Sequence, residues 1–205
     1  MEIVLQNTGK RFNREWIFRH FNYHFSATKK YAITGNNGSG KSTLLQVIAG
    51  ALMFNEGSIR MHENLKEIND GDFYKSIAIA APYLDLIEEM TAKEFLHFHH
   101  SFKPINVKLE EALEIVQLQK ASNKQIRYFS SGMKQRLKLA QAFFSDTPVL
   151  LLDEPTTNLD AEGIALYHSL VENHAKDKLV IISSNDPQEY RFCDEVIAIA
   201  DYKTI

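Results

Sequence analysis

The sequence predicts an α/β fold in which a central, mostly parallel sheet is covered by helices. Two observations support this. Short apolar, β-prone runs alternate with segments whose apolar residues recur at helical spacing, most clearly in the last third of the chain. The middle third carries amphipathic helical patterns without a strong strand after Ala80. The first third opens with strands, which suggests an additional β portion ahead of the parallel sheet.

The first third is expected to be mainly β structure with one helix. Phe21 to Phe25 alternate aromatic and polar residues, as a half-buried strand does. Gly50 is a plausible helix stop, and the Asn55-Glu56-Gly57 turn precedes a hairpin-like segment. The predicted strands are residues 2–5, 21–25, 31–34 and 58–61, and the predicted helix is residues 43–49.

The rest of the chain is expected to be helical first and alternating afterwards. Residues 92–102 and 109–119 are predicted to form amphipathic helices. In the last third, helices at 133–144 and 163–176 precede strands at 149–152 and 179–183, and a final strand is expected at 196–200. Each strand–helix repeat favours a parallel connection.

Composition limits the possible functions. The 205 residues correspond to one or two domains, and the net charge of -3 argues against a nucleic-acid binder. The chain has a single cysteine, Cys193, which excludes an internal disulfide. Because the N-terminus also shows no secretion signal, we expect the protein to reside in the reducing cytoplasm. No apolar run is long enough to span a membrane, so any membrane association would go through a partner or the protein surface.

The most specific motif is a phosphate-binding loop. Residues 35–42 fit the pattern G-x-x-x-x-G-K-[ST], and they follow a predicted strand and open a predicted helix, which is the context that the motif requires. Glycines let successive N–H groups turn toward phosphate oxygens. Lys41 would contact the β- and γ-phosphates, and Ser42 would offer its hydroxyl to Mg²⁺. The predicted nucleotide-binding residues of this loop are Gly35, Asn36, Asn37, Gly38, Ser39, Gly40, Lys41, Ser42 and Thr43.

Two acids end the apolar strand predicted at 149–152. The run Val-Leu-Leu-Leu is uninterrupted, as expected for a strand that is buried on both faces, and Asp153 and Glu154 follow it. Ligands of open α/β sheets bind at this carboxyl end. We expect Asp153 to hold Mg²⁺ and Glu154 to act as the general base for an attacking water.

A small, hydroxyl-rich segment precedes the helix predicted at 133–144. Ser130, Ser131 and Gly132 provide a helix N-terminus that suits an anion, although an ordinary N-cap is the favoured interpretation of this segment when it is taken alone.

These motifs, taken in order, resemble the ATP-binding subunit of an ABC transporter. Residues 35–43 are similar to its Walker A motif, 129–136 to its signature motif, 149–154 to its Walker B motif and 157–160 to the segment that follows. The resemblance covers essentially the whole chain. It implies a single cassette over residues 1–205, with a core of about 1–72 and 129–205 and an inserted helical subdomain of about 73–128.

The resemblance also implies how the site is completed. Two cassettes would close head to tail, with each ATP between the Walker A loop of one and Ser130, Ser131 and Gly132 of the other. Asp160 and its neighbours would couple the two sites. Phe12 stands 23 residues before Gly35, where relatives place an aromatic residue that stacks on adenine. Strand-edge packing is the alternative for Phe12, and Trp16 is the alternative stacking residue.

Three positions depart from the family pattern. Ser131 replaces the usual first glycine of the signature. Pro82 stands where relatives carry a glutamine near Mg²⁺, and no glutamine occurs between Gln46 and Gln117. Asn185 stands where relatives carry a histidine that contacts the γ-phosphate. Pro82 offers neither a side-chain acceptor nor an N–H, and the Asn185 amide can donate a hydrogen bond but cannot carry a proton.

The expected function is therefore an ATP-binding and ATP-hydrolysing subunit, with Mg²⁺ as cofactor, that powers an ABC transporter by nucleotide-driven dimerisation. Slow hydrolysis is expected, with Lys41, Glu154 and Asn185 in the catalytic group. The expected partners are an integral membrane subunit and a second cassette, at the cytoplasmic face of the membrane, without nucleic acid. Two alternatives stay open: a nucleotide-gated clamp with little turnover, and a soluble, non-transport ABC ATPase.

Overall fold

The computed structural model describes residues 1–64 and 66–203, which form two sheets and a set of covering helices. The strands are β1 (Glu2–Phe12), β2 (Glu15–Phe25), β3 (Lys30–Thr34), β4 (Glu56–Glu63), β5 (Lys66–Ile68), β6 (Ile77–Ala80), β7 (Val149–Asp153), β8 (Leu179–Ser183) and β9 (Glu195–Ala198). The α-helices are α1 (Lys41–Ile48), α2 (Phe73–Ser76), α3 (Ala92–Phe102), α4 (Leu109–Ile115), α5 (Ser131–Phe143), α6 (Ala161–His174) and α7 (Pro187–Tyr190).

The N-terminal sheet is antiparallel, with strand order β2-β1-β4-β5. Its first two strands are each 11 residues long, more than twice the predicted length. Register shifts between Leu5 and Arg11 interrupt the alternation of buried and exposed residues, and this hides the strand pattern from a period-2 reading. Asn7 and His20 take positive φ angles of 48° and 55°, and their side chains meet across the pair at 2.6 Å between Oδ1 and Nδ1.

The second sheet is parallel, with strand order β6-β7-β8-β3-β9, and confirms the predicted fold class. All five residues of β7 and of β8 are buried, as the uninterrupted apolar runs predict. Alternation along β7 separates two cores. Leu150 and Leu152 face the core that is built with the helices of the middle region, whereas Val149 and Leu151 face the core that is shared with the N-terminal sheet.

Helix α1 lies in the second of these cores, between the two sheets. Its buried residues Leu44, Leu45, Val47 and Ile48 pack with Ile3 and Leu5 of β1 and with the residues of β7 and β8 on that face. Helices α3, α4, α5 and α6 cover the opposite face of the parallel sheet. The molecule is therefore layered as sheet, helix, sheet and helices, and the start of α1 lies directly at the end of β3.

Several element bounds differ from the predictions. Helix α1 begins at Lys41 rather than at 43, because Gly40 in a left-handed conformation already serves as its N-cap. The predicted final strand 196–200 is Glu195–Ala198 followed by a 3₁₀ turn, which brings the Tyr202 ring to 4.3 Å from that of Phe21. The range 73–128, proposed as the helical subdomain, begins with α2 and with β6, which is a strand of the parallel sheet. Among the described residues, no helix has the length and apolar character needed to cross a bilayer.

Strand β7 contributes buried side chains to both cores, so its packing should matter for stability. Leu151→Ala is expected to lower the free energy of unfolding by about 2–5 kcal/mol, because the side chain is fully buried and β7 cannot shift to fill the cavity. Val196→Ala, on the edge strand β9 at 59% exposure, is the control and should cost less than about 1 kcal/mol. Urea denaturation measures both. Equal losses in the two variants would contradict the two-sided burial of β7.

Candidate functional site

The site lies at the carboxyl edge of the parallel sheet. Asp153 at the end of β7 is paired with Ser183 of β8, and Ser183 is paired in turn with Ile33 of β3. The loop after β3 and the acids after β7 therefore leave the sheet side by side, with the end of β8 between them. Three segments that are far apart in sequence meet at one edge for this reason.

The loop from Gly35 to Gly40 curls around the amine of Lys41. The Lys41 Nζ donates to the carbonyls of Gly35 at 2.8 Å and Asn36 at 3.2 Å, and the side chain is 96% buried, at 4% exposure. Gly40 has φ 106°, and a Cβ placed there would lie 2.4 Å from Cγ2 of Ile17 on β2. A side chain at this position would therefore collide with the hairpin and open the loop.

The N-terminus of α1 is prepared for an anion. Gly40 provides no side-chain cap, and the first turn contains no acidic residue, so the positive end of the helix faces the loop without compensation. The buried Ser39 Oγ has no hydrogen-bond partner among the described residues. Ser42 and Thr43 are half-buried in this first turn. The structure thus brings the predicted loop residues into one concave segment.

Asp153 is a buried carboxylate with incomplete hydrogen bonding. It is 1% exposed, and within residues 1–64 and 66–203 its Oδ1 has no hydrogen-bond partner. Burial raises its pKa, although the nearby hydroxyls of Ser42 and Ser183 and the charge of Lys41 offset part of the rise. A buried acceptor oxygen beside a serine hydroxyl is suited to a hard divalent cation. Ser42 and Asp153 therefore fit the predicted Mg²⁺ site.

Glu154 sits in a turn with a strained backbone. Its φ is 43°, in the left-handed region that a glutamate rarely adopts, and its N–H donates to the Ser183 carbonyl at 2.9 Å. The next carbonyl, that of Pro155, accepts a hydrogen bond of 2.8 Å from the buried amide of Gln135 on α5. Strain of this kind persists where the surroundings hold the backbone in place, which is common at functional sites.

Asn185 belongs to the same edge. It follows β8, and its Nδ2 donates to the Oδ1 of Asn37 in the phosphate-binding loop at 3.1 Å. Asn185 is thus joined directly to the phosphate-binding loop. Both side chains are exposed, so both are accessible from solvent.

Ser130, Ser131 and Gly132 line a different cleft. Ser130 is the N-cap of α5, and its hydroxyl accepts from the Met133 N–H at 3.2 Å, so the N-cap reading is correct for this side chain. The cleft has a volume of about 410 Å³ and also contains Asn158 to Asp160. No residue of the phosphate-binding loop lines it. The chain therefore carries two separate surfaces rather than one closed site.

Asp160 has a local structural role in this cleft. Its carboxylate caps α6 by accepting from the Gly163 N–H at 2.8 Å, and it forms an ion pair with Arg136 of α5 at 3.3 Å. A Cβ added at Gly132 would lie 3.1 Å from the Asn158 carbonyl, so the two segments are in close contact.

The two aromatic candidates differ in accessibility. The Trp16 ring lies between two guanidinium groups, with Arg11 at 5.4 Å and Arg19 at 4.5 Å from its centroid. Phe12, at the end of β1, is 48% exposed and has the Lys10 amine at 4.9 Å. Phe12 is the more exposed of the two, and Trp16 is half-buried.

Sequence reasoning missed the residues that hold the loop after β6. Lys138 of α5 donates to the carbonyls of Ala81 at 3.3 Å and Pro82 at 2.9 Å. Tyr83 follows, and the negative charge of Asp153 contributes, after burial, to the rise in its pKa. No sequence motif marks these residues, and their placement follows from the pairing of β6 with β7 in the assembled sheet.

A phosphate-binding loop and an acid pair at the edge of a parallel sheet, below a separate antiparallel sheet, define a nucleotide-binding protein of the P-loop class. The sequence pattern described as ABC transporter matches residues 18–157. The chain belongs to this family, and it is an ATP-binding subunit of the ABC transporter type.

Curated relatives agree in length as well as in sequence. The chain is 31% identical over 194 residues to the cytochrome c biogenesis ATP-binding export protein CcmA of Rhizobium etli, covering 91% of this chain and 89% of the relative. It is 30% identical over 202 residues to the uncharacterized ABC transporter ATP-binding protein YybJ of Bacillus subtilis, covering 97% and 89%.

Solved structures share the fold at lower identity. An ABC transporter ATP-binding protein from Pyrococcus furiosus superposes with a TM-score of 0.83 at 19% identity, covering 100% of both chains. The cassette MJ0796, solved as a dimer bound to ADP and Pi, superposes with a TM-score of 0.79 at 23% identity, covering 96% of this chain and 93% of that one. These similarities confirm the fold class.

The buried carboxylate makes the nucleotide-free protein less stable than it could be. The pKa of Asp153 is raised in the folded state. At pH values between the ordinary aspartate pKa and this raised pKa, the folded protein therefore binds more protons than the unfolded protein does. Stability should fall as pH rises through the window from about 3.9 to that raised pKa, and should stay lower above it. Asp153→Asn is expected to add on the order of 1 kcal/mol at neutral pH in EDTA.

Thermal unfolding across pH measures this effect, with exposed Asp177→Asn as the control. The Asp153 variant should have a higher Tm at pH 7 and a smaller loss of Tm between acidic and neutral pH. A lower Tm for Asp153→Asn than for the parent chain would show that the carboxylate stabilises the fold.

Proposed function

We propose that this chain binds and hydrolyses ATP and that its ATP-driven pairing powers a membrane transporter. The observation that carries the proposal is the convergence at one sheet edge of the Lys41 loop, the buried Asp153 and the strained turn at Glu154. Each group has a chemical task in phosphoryl transfer, and none is required by the packing of the sheet.

The residues of the loop would bind the triphosphate. N–H groups of residues 35–40 and of the first turn of α1 would donate to phosphate oxygens, and the amine of Lys41 would move from the loop carbonyls to the β- and γ-phosphates. Ser42 and Asp153 would hold Mg²⁺, which when bound neutralises charge on the β- and γ-phosphate oxygens. Phe12 would stack on the adenine ring.

Glu154 is the proposed general base. Its carboxylate would accept a proton from the water that attacks the γ-phosphorus, and the backbone turn held by Ser183 and Gln135 would keep it in place. Asn185 would donate from its amide to the γ-phosphate. A neutral amide donates a hydrogen bond but does not take up or release a proton as a histidine does. This contact therefore stabilises charge only, and slow hydrolysis is the expected consequence.

The second cleft is proposed to serve a second subunit. Ser130, Ser131 and Gly132 would contact the γ-phosphate of an ATP bound to the opposite cassette, and the segment up to Asp160 would lie across the pair. The separation of this cleft from the phosphate-binding loop supports the arrangement, because a single chain cannot close both surfaces on one nucleotide. The dimeric MJ0796 cassette offers a precedent for pairing in this fold.

The proposed setting is the cytoplasmic face of a membrane, with the chain held peripherally by an integral membrane subunit. The curated relatives are named as parts of export and transport systems, which supports a transporter rather than a soluble ABC ATPase.

A nucleotide-gated clamp with little turnover is the second candidate. It is favoured by one observation: the side chain of Pro82 offers no polar group, and its carbonyl is occupied by Lys138. Without a polar side chain from Pro82 to help position the attacking water, binding and pairing would occur while hydrolysis would not.

Replacement of the base separates the two candidates. Glu154→Gln is expected to lower the rate of Mg²⁺-dependent phosphate release by about 100-fold or more while ATP still binds, because the amide is isosteric but does not accept a proton. Phosphate release from the purified chain with its membrane partner is the measurement. Glu162→Gln, on the exposed first turn of α6, is the matched control and should retain the parent rate. A parent chain that pairs on ATP but releases no phosphate would establish the clamp.

A bulky residue in the second cleft tests the pairing. Ser131→Tyr is expected to leave ATP binding to the single chain intact and to abolish ATP-dependent dimerisation, because the exposed side chain would occupy the space for the opposite nucleotide. Light scattering after gel filtration, in the Glu154→Gln background with ATP, measures the dimer. Ser101→Tyr on the exposed end of α3 is the control. Dimers of normal affinity in Ser131→Tyr would contradict the proposed arrangement.

A further inference from the structure

Tyr83 leaves the sheet at the same edge as the acid pair. Ala80, the last residue of β6, is paired with Leu152 of β7, which immediately precedes Asp153. The chain then turns, with the Leu84 N–H donating to the Ala81 carbonyl at 3.2 Å. Tyr83 is therefore on the tight turn that directly flanks the carboxyl end of β7 on the side away from β8.

The turn places Tyr83 close to α1 and to the end of β7. Tyr83 is 42% exposed, and two neighbouring side chains act on its pKa, Asp153 by raising it and Gln46 by lowering it. Gln46 follows Ser42 by four residues on α1, so both lie on the same face of that helix. Burial and the Asp153 charge raise the pKa of Tyr83 to about 12, which keeps the hydroxyl protonated at neutral pH.

The turn that carries Tyr83 is held at two points. The amine of Lys138 donates to the two carbonyls that precede Tyr83, those of Ala81 and Pro82. Pro82 has a restricted φ angle and no N–H, so the turn has few alternative conformations. The position of the phenol is consequently defined by the backbone and does not depend on the side chain alone.

We propose that Tyr83 is a positioning residue of the nucleotide site, whose hydroxyl hydrogen-bonds the water that a divalent cation carries beside Asp153. A phenolic hydroxyl both donates and accepts, so it can serve such a water as the glutamine of relatives would. The inference rests on the proposed function, because it presupposes a cation held by Ser42 and Asp153. It gives this chain a polar group at a place where Pro82 supplies none.

The Tyr83 hydroxyl would add a polar group on the β6 side of the proposed cation site. Partners outside the direct ligand set commonly account for about 10–100-fold in metal affinity or activity. Tyr83→Phe would keep the aromatic ring and lose only the hydrogen bond of the hydroxyl.

Binding of Mn²⁺ with a non-hydrolysable ATP analogue, followed by electron paramagnetic resonance, tests the proposal without turnover. Tyr83→Phe is expected to weaken Mn²⁺ binding by about 10-fold, while binding of the analogue in EDTA stays unchanged. Tyr83→Gln should restore most of the affinity, because its amide also donates and accepts. Tyr74→Phe, an exposed tyrosine of α2, is the control and should match the parent chain.

The outcomes distinguish this inference from the function on which it rests. Parent-like Mn²⁺ affinity in Tyr83→Phe, with the parent chain binding normally, would overturn the role of the hydroxyl and leave the ATPase proposal standing. Equal losses in Tyr83→Phe and Tyr83→Gln would show that an amide, which also donates and accepts, cannot replace the hydroxyl. That result would contradict a hydrogen bond to a bound water and would overturn the inference as well. If the Lys41→Ala variant bound the analogue as tightly as the parent chain does, both proposals would be overturned.

Discussion

The burial of β7 on both faces is the constraint on which the rest of the structure depends. Because the strand lies between β6 and β8 and contributes to two cores, it can neither slide nor rotate, since a one-residue shift would exchange the residues that face the two cores. Its last residue is Asp153, so the carboxylate is held at a fixed height at the sheet edge. The neighbouring strands deliver Tyr83 and Asn185 to the same height. The height of these groups at the sheet edge is thus set by strand register.

Helix α5 connects the second cleft to this edge. Three of its residues hold three different turns: Gln135 binds the Pro155 carbonyl, Arg136 pairs with Asp160, and Lys138 binds the carbonyls before Tyr83. The N-terminus of the same helix is the signature segment. If a nucleotide bound to the partner cassette displaced this N-terminus, the displacement would reach three places at once. These are the turn at the proposed base Glu154, the segment at Asp160 and the turn that carries Tyr83. This arrangement is a physical route by which occupation of one site can alter the chemistry of the other.

Much of the fold and of the site follows from local pattern. The strand runs at 149–152 and 179–183, the loop at residues 35–42 and the acid pair were all predictable, because buried parallel strands and phosphate loops have strong sequence signatures. The full lengths of β1 and β2 were not, since bulges at Asn7 and His20 break the alternation. Tyr83 and Lys138 were also missed, because no motif marks them. Their placement depends on the pairing of β6 with β7, which becomes visible only when the sheet is assembled.

Several unfavourable local features lie at this edge. Among the described residues, Asp153 is buried with an unpaired oxygen, Ser39 and Ser183 have unpaired hydroxyls, and Glu154 adopts a left-handed backbone angle. A sheet selected for stability alone would place apolar or fully bonded groups at these positions. A bound triphosphate would offer acceptors to the serine hydroxyls, and a bound cation would compensate the charge of Asp153. Features that cost stability in the nucleotide-free protein and that a ligand would satisfy are the pattern expected of a site adapted to its bound state. The proposed functions of Glu154, Asn185 and Tyr83 follow from that pattern, because each would supply a polar contact to the attacking water or to the γ-phosphate at this edge.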